Sequence, residues 1–140
     1  MGLILDSSVL IAAERGGRTV REILEQCKAV YGETGIGLSV ITIAELMHGA
    51  YRAAHETRKL RRLAFIDRLC WDVPVYPVTL EIARMAGRIE GEQAALGFTL
   101  AFEDLAIGVT ALQLGYDIAT LNERHISMVP GLRIAKAPYS

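Results

Sequence analysis

The chain has 140 residues, 51% of them hydrophobic, with 15 lysines and arginines against 16 acids for a formal net charge of −1. That is enough for one domain spanning 1–140 with a true core, and too apolar for a disordered chain. The near-neutral balance excludes a binder that works through an overall positive field, so contact with a polyanion needs local positive charge or bound cations.

The first element is the apolar run Leu3-Ile4-Leu5, stopped by Asp6-Ser7-Ser8. It reads as a buried strand followed by a helix from Ser8 or Val9 to about Arg15, which Gly16-Gly17 ends. Val20, Ile23, Leu24 and Cys27 recur at helical spacing and predict an amphipathic second helix. Residues 35–40 form the next apolar strand. Thr42 then opens a helix carrying Glu45, Leu46, Met47 and Ala50. In the charged stretch 55–68, Leu60, Leu63 and residues 66–69 supply one apolar face. Residues 73–78 read as extended, and Pro74 and Pro77 suit an edge strand. Residues 81–96 form a helix with Ile82, Met85, Ala86 and Ile89 on one side. Phe102-Glu103-Asp104 opens the helix 105–114, which Gly115 closes. Residues 117–121 form a strand ending at Asn122, and residues 132–134 a last short strand. Helices alternating with apolar strands predict a parallel sheet covered on both faces.

Charge-free stretches such as 105–116 fall far short of the ~20 residues a spanning helix needs. The opening residues lack the basic segment of a signal peptide. Cys27 and Cys70 show no CxxC spacing, which fits a reducing cytoplasm.

On this map Asp6 follows the first strand, Glu45 lies in the first turn of the helix after the second, and Asp104 opens the helix before the late strand. Asn122 follows that late strand directly. Ligand sites of open parallel sheets form beyond the carboxyl ends of the strands, at a topological switch point, where these residues can converge. Each acid also has a purely structural use. Asp6 can cap its helix, Thr42-Ile43-Ala44-Glu45 matches a capping box, and Asp104 suits a helix N-terminus. Their combination argues for more. Two carboxylates ~6 Å apart repel by about 3 kcal/mol at an effective dielectric near 20, so a trio stays ionised only with a cation among them. Oxygen donors without Cys or His favour Mg²⁺ or Mn²⁺ over zinc. Such an ion can activate water and stabilise displacement at phosphorus, which makes phosphodiester hydrolysis the natural chemistry.

Four segments, in order, resemble the motifs of PIN-domain proteins, especially the VapC toxins of bacterial toxin–antitoxin pairs. They are residues 3–11 around Asp6, 39–49 around Glu45, 102–115 around Asp104 and 119–125 around Asn122. The resemblance implies a three-layer α/β/α sandwich with a central parallel sheet. It further implies a metal-dependent endoribonuclease that hydrolyses RNA by metal-activated water, a cognate VapB-type antitoxin and a homodimer. Asp6, Glu45 and Asp104 match the family's acidic trio as catalytic and metal-binding residues. The fourth position, often Asp in the family, is Asn122, a weaker ligand that adds no charge. Ser8 matches the small polar residue whose hydroxyl orients a carboxylate or a metal-bound water, Arg124 and His125 are placed for an RNA backbone, and Glu103 is peripheral. The stretch 45–54, with Leu46, Met47 and Tyr51, offers modest support for a partner against the plainer reading of core packing. Arg58, Lys59, Arg61 and Arg62 read as a solvated helix face sooner than a phosphate track. Trp71 reads as core or interface, and His48 as a packed or solvent-facing residue. The rival reading is a catalytically weak PIN-like module that binds RNA or protein. A receiver-type or P-loop protein is disfavoured, because no acidic pair flanks the first strand and no Gly-rich Lys motif occurs.

Overall fold

The computed structural model describes residues 1–138. In chain order the elements are β1 (Gly2–Leu5), α1 (Ser7–Arg15), α2 (Val20–Tyr31), β2 (Gly35–Ser39), α3 (Val40–Tyr51) and α4 (Glu56–Asp72). They are followed by β3 (Val75–Tyr76), α5 (Leu80–Ala95), α6 (Phe102–Leu114), β4 (Asp117–Thr120), α7 (Glu123–Ile126) and β5 (Ile134–Lys136). The strands form one sheet in the order β3-β2-β1-β4-β5, and every pairing is parallel. No helix among the described residues is long and apolar enough to cross a membrane.

Alternation along β1 explains why the sheet is covered on both sides. Successive strand residues point to opposite faces. Leu3 and Leu5 join a core with Val9, Ile23, Leu38 and Leu69, whereas Ile4 joins Ile107, Ala111, Ile118 and Ile126 on the other face. A third apolar cluster ties α5 to α6 through Ile82, Ala86, Ile89, Leu105 and Val109. The result is the expected α/β/α sandwich with a central parallel sheet. From β1 the chain winds outward through β2 to β3, then returns to place β4 on β1's other side. The crevice between β1 and β4 is therefore the switch point, and Asp6 and Asn122 follow those two strands.

Several expectations meet their boundaries closely. Arg15 ends α1 at Gly16, and Gly115 takes the left-handed conformation (φ 69°) that closes α6. β3 is an edge strand, as its flanking prolines require. Four readings are corrected. The helix carrying Glu45 starts at Val40, not Thr42, because Ser39 at the end of β2 caps it by accepting a bond from the Ile41 N–H (3.1 Å). Thr42 is thus inside the first turn, and Glu45 is a full turn in. Leu60 lies off the apolar face of α4, 57% exposed, and Ile66 and Leu69 bury that helix. Trp71 is 84% exposed and takes no part in the core. The last strand lies two residues beyond its expected start, and α7 is an added short helix.

Candidate active site

Asp6 is buried, 3% exposed, at the turn from β1 into α1. Its backbone has the extended conformation of an N-cap, yet its side chain makes no capping bond. Instead Oδ2 accepts from the Ser8 hydroxyl (2.7 Å) and from the Thr120 hydroxyl at the end of β4 (2.8 Å). Ser8 Oγ in turn accepts from the Leu121 N–H (3.0 Å), and Thr120 Oγ1 from the Asn122 N–H (2.8 Å). These bonds join the carboxyl ends of β1 and β4 into one polar knot. Oδ1 of Asp6 takes no hydrogen bond from the described residues.

Glu45 is half-buried on α3, and its Oε1 accepts from the Ser7 hydroxyl (2.9 Å). No capping bond from Thr42 engages it, and the Thr42 hydroxyl is itself buried without a partner among the described residues. The capping-box reading therefore fails, and Glu45 is free to face Asp6. Burial pushes its carboxyl above the ordinary range, and the charges of Asp6, Asp104 and Glu103 raise it further against the opposing Ser7 bond. Asp104, half-buried in the first turn of α6, is also raised. Burial is the first cause, Asp6 and Glu103 add to it, and His125 opposes it. The helix N-terminus that would favour an ionised acid is overcome by desolvation and like charge.

Asp6, Glu45 and Asp104 thus belong to one electrostatic cluster, with Glu103 and His125 acting on it from exposed positions. Asn122 is half-buried just past β4, and its amide makes no capping bond to α7. Ser8 Oγ donates to Asp6 Oδ2. Arg124 is exposed on α7, one residue before His125. Ser7 and Thr120 were not anticipated in these positions, since their partners lie 38 and 114 residues away in sequence with no local signal, and His125, read as placed for an RNA backbone, acts on Asp104. Leu46 and Met47 pack in the core, and only Tyr51 of that trio is exposed.

Does this site suit a divalent cation? The donors are carboxylate and amide oxygens, the type a hard ion takes, and Asp104 accepts no hydrogen bond from the described residues. Among the described residues no three His, Cys, Asp or Glu side chains close on a single point as they stand. Mg²⁺ does not demand such a cage, since it keeps several waters and uses one or two carboxylates. The donor chemistry therefore fits, with the free oxygens of Asp6, Glu45 and Asp104 as the available ligands.

The chain as a whole is similar to known proteins. Residues 3–130 match the PIN domain. Ribonuclease VapC1 of Rickettsia felis is 31% identical over 134 residues, 96% of this chain and 95% of that protein. Ribonuclease VapC of Rickettsia bellii is 30% identical over 138 residues, 99% and 98% of the two chains. Among solved structures, the DNA-bound VapBC from Salmonella typhimurium superposes with a TM-score of 0.81 at 24% identity, covering 97% of this chain and 98% of that one. VapBC2 from Rickettsia felis, bound to a promoter DNA fragment, gives 0.79 at 17% with the same coverage. At those identities the superpositions speak to the fold.

Proposed function

The chain belongs to the PIN-domain family, and from that premise we propose that it is the toxin endoribonuclease of a VapBC-type pair, cutting RNA with Mg²⁺ or Mn²⁺. The observation that carries this reading is the joint one. The chain aligns over nearly its whole length with VapC ribonucleases, and its acids form one coupled cluster at the switch point of the sheet. In this reading 1–140 is a single catalytic domain.

Asp6, Glu45 and Asp104 hold the cation, with Asn122 as a neutral fourth ligand. When bound, the ion offsets the mutual repulsion of the acids, polarises water toward attack and stabilises charge building on the phosphodiester. Ser8 and Thr120 hold Asp6 through Oδ2, which restricts its carboxylate and leaves Oδ1 available to a ligand. Ser7 does the same for Glu45. An ionised Glu45 or Asp104 would be available to accept a proton from the attacking water. His125, exposed beside Asp104, is placed to meet the substrate phosphate or the departing oxygen. Arg124 supplies backbone contact.

The partners in this reading are the RNA substrate, a VapB-type antitoxin and a second copy of the chain. Exposed apolar side chains at Leu80, Leu96, Phe98 and Phe102 support an assembly. A cytoplasmic location is consistent with the two free thiols, Cys27 buried and pushed up to about 11 by desolvation, and Cys70 exposed.

The test is incubation of the purified chain with single-stranded RNA, with Mg²⁺ or Mn²⁺ and with EDTA. Discrete products that vanish with EDTA and return on adding cation are expected. RNA binding with no product under any cation condition sinks the nuclease in favour of the binding module.

A further inference from the structure

Two hollows lie side by side between the end of α1 and the face of α4, sharing Glu14 and Phe65 as walls. The first starts at Glu45 and is lined by Arg15 and Arg62. The second continues past the turn into α2 and is lined by Arg18, Arg61 and Arg68. Together they make a groove that leads from a member of the acid cluster out to the surface. Five of the chain's 15 basic residues line it, against Glu14 and Glu45 as its only acids. A protein of net charge −1 thus gathers positive charge along one path into its site.

The arginines differ in how committed they are. Arg62 is largely buried, donating to the Gly49 carbonyl (3.0 Å) and standing 3.8 Å from Glu14, so it is part of the groove's frame. Arg68 pairs with Asp72 (2.7 Å). Arg15 and Arg61 are exposed and have no carboxylate partner among the described residues. Two uncompensated guanidiniums in a groove are suited to phosphates, and Phe65 with Ile11 and Ala64 gives unpaired bases an apolar wall. This is the pattern of a single-strand binder, a positive track with an aromatic surface beside it.

We propose that this groove carries a single-stranded RNA to the acid cluster, with Arg15 and Arg61 holding backbone phosphates on the way to Glu45. The proposal rests on the ribonuclease reading and adds the form and path of the substrate. It also revises the reading of Arg61 and Arg62 as a merely solvated helix face.

The test measures binding and cleavage separately. Binding of a fluorescein-labelled single-stranded RNA is followed by anisotropy in an Asp104→Asn background with Mg²⁺ across a salt series, and cleavage is followed in the active background. Arg15→Ala with Arg61→Ala is expected to flatten the dependence of log affinity on log salt by about 1.4, two contacts at about 0.7 each for a single strand. KM for cleavage rises by the factor lost in affinity, and kcat holds. The exposed pair Arg84→Ala with Arg88→Ala, on α5 outside the groove, leaves both values near the parent's. If the parent cuts RNA and the groove variant matches it in salt slope and KM, the track is overturned and the nuclease reading stands. Equal losses from the α5 pair also overturn it, since bulk charge then suffices. If RNA affinity and KM hold while the co-expressed product of the adjacent reading frame no longer copurifies, the groove is a protein-docking surface and the proposal fails. A parent that neither binds nor cuts RNA removes the nuclease reading and the track together.

Discussion

Above the carboxyl ends of β1, β2 and β4 the interior is polar, with Asp6, Ser7, Ser39, Thr42 and Thr120 all buried; lower in the same sheet, the interior is glycine packed against tyrosine. A Cβ at Gly2 would overlap the ring of Tyr116, and one at Gly37 would come within 2.6 Å of Tyr76. The two rings meet edge to face at 6.4 Å. The lower region is built for close packing, and its glycines are there for space. The upper region accepts buried polar groups and like charges that a packing-only design would replace. The contrast separates what holds the sheet together from what the protein uses it for, and substitutions in the two regions should fail in different ways.

The largest effect is expected at the upper end. Asp104→Asn should lower RNA cleavage by about 10²-fold or more, the scale of losing a positioned acid–base group, while thermal unfolding shows an intact fold. A variant with near-parental cleavage removes Asp104 from the chemistry. The lower end should show the opposite pattern. Gly37→Ala should cost about 1–3 kcal/mol in urea unfolding through overpacking, with cleavage per folded molecule unchanged. Should stability hold and activity drop, the division between the two regions is wrong. Ser7→Ala tests the support of Glu45. We expect roughly 10-fold weaker activity, typical of losing an orienting bond to a ligand, with little change in melting temperature.

The smallest effect is a dependence of stability on pH. Glu45 and Asp104 have folded-state pKa values raised above their unfolded ones. Their contribution therefore favours the fold fully below the unfolded carboxylate range, about 4, and is lost as pH rises through the raised folded values. At pH 7 the ionised pair is a liability. In EDTA, Glu45→Gln and Asp104→Asn should each melt higher than the parent at pH 7, and that advantage should close as the pH falls toward 4. A constant advantage across this range would mean the gain comes from something other than charge.

Much of this was legible in the sequence because it is local. Short apolar runs marked β1, β2 and β4. Gly16 and Gly115 marked helix ends, and the order of strands and helices gave the covered parallel sheet. The trio itself could be placed by strand-end logic and by resemblance. What could not be read is the support around it. Ser7 reaches Glu45 across 38 residues and Thr120 reaches Asp6 across 114, and no local pattern carries such pairings. The capping box at Thr42 misled for a related reason. A sequence shows that a threonine and a glutamate have the right spacing, but where β2 stops decides which residue caps, and that residue is Ser39. Of the two readings of Trp71, core or interface, its exposure removes the first, because hydrophobicity alone does not say which side of a helix faces the core.

In the proposed function Asp6, Glu45 and Asp104 at the switch point hold a divalent cation. Calorimetric titration of Mn²⁺ into the metal-free parent and into Asp104→Asn measures that role. Saturable uptake with a rise in melting temperature is expected for the parent, and loss of both in the variant. Equal uptake by the two proteins, or none by the parent, would contradict it.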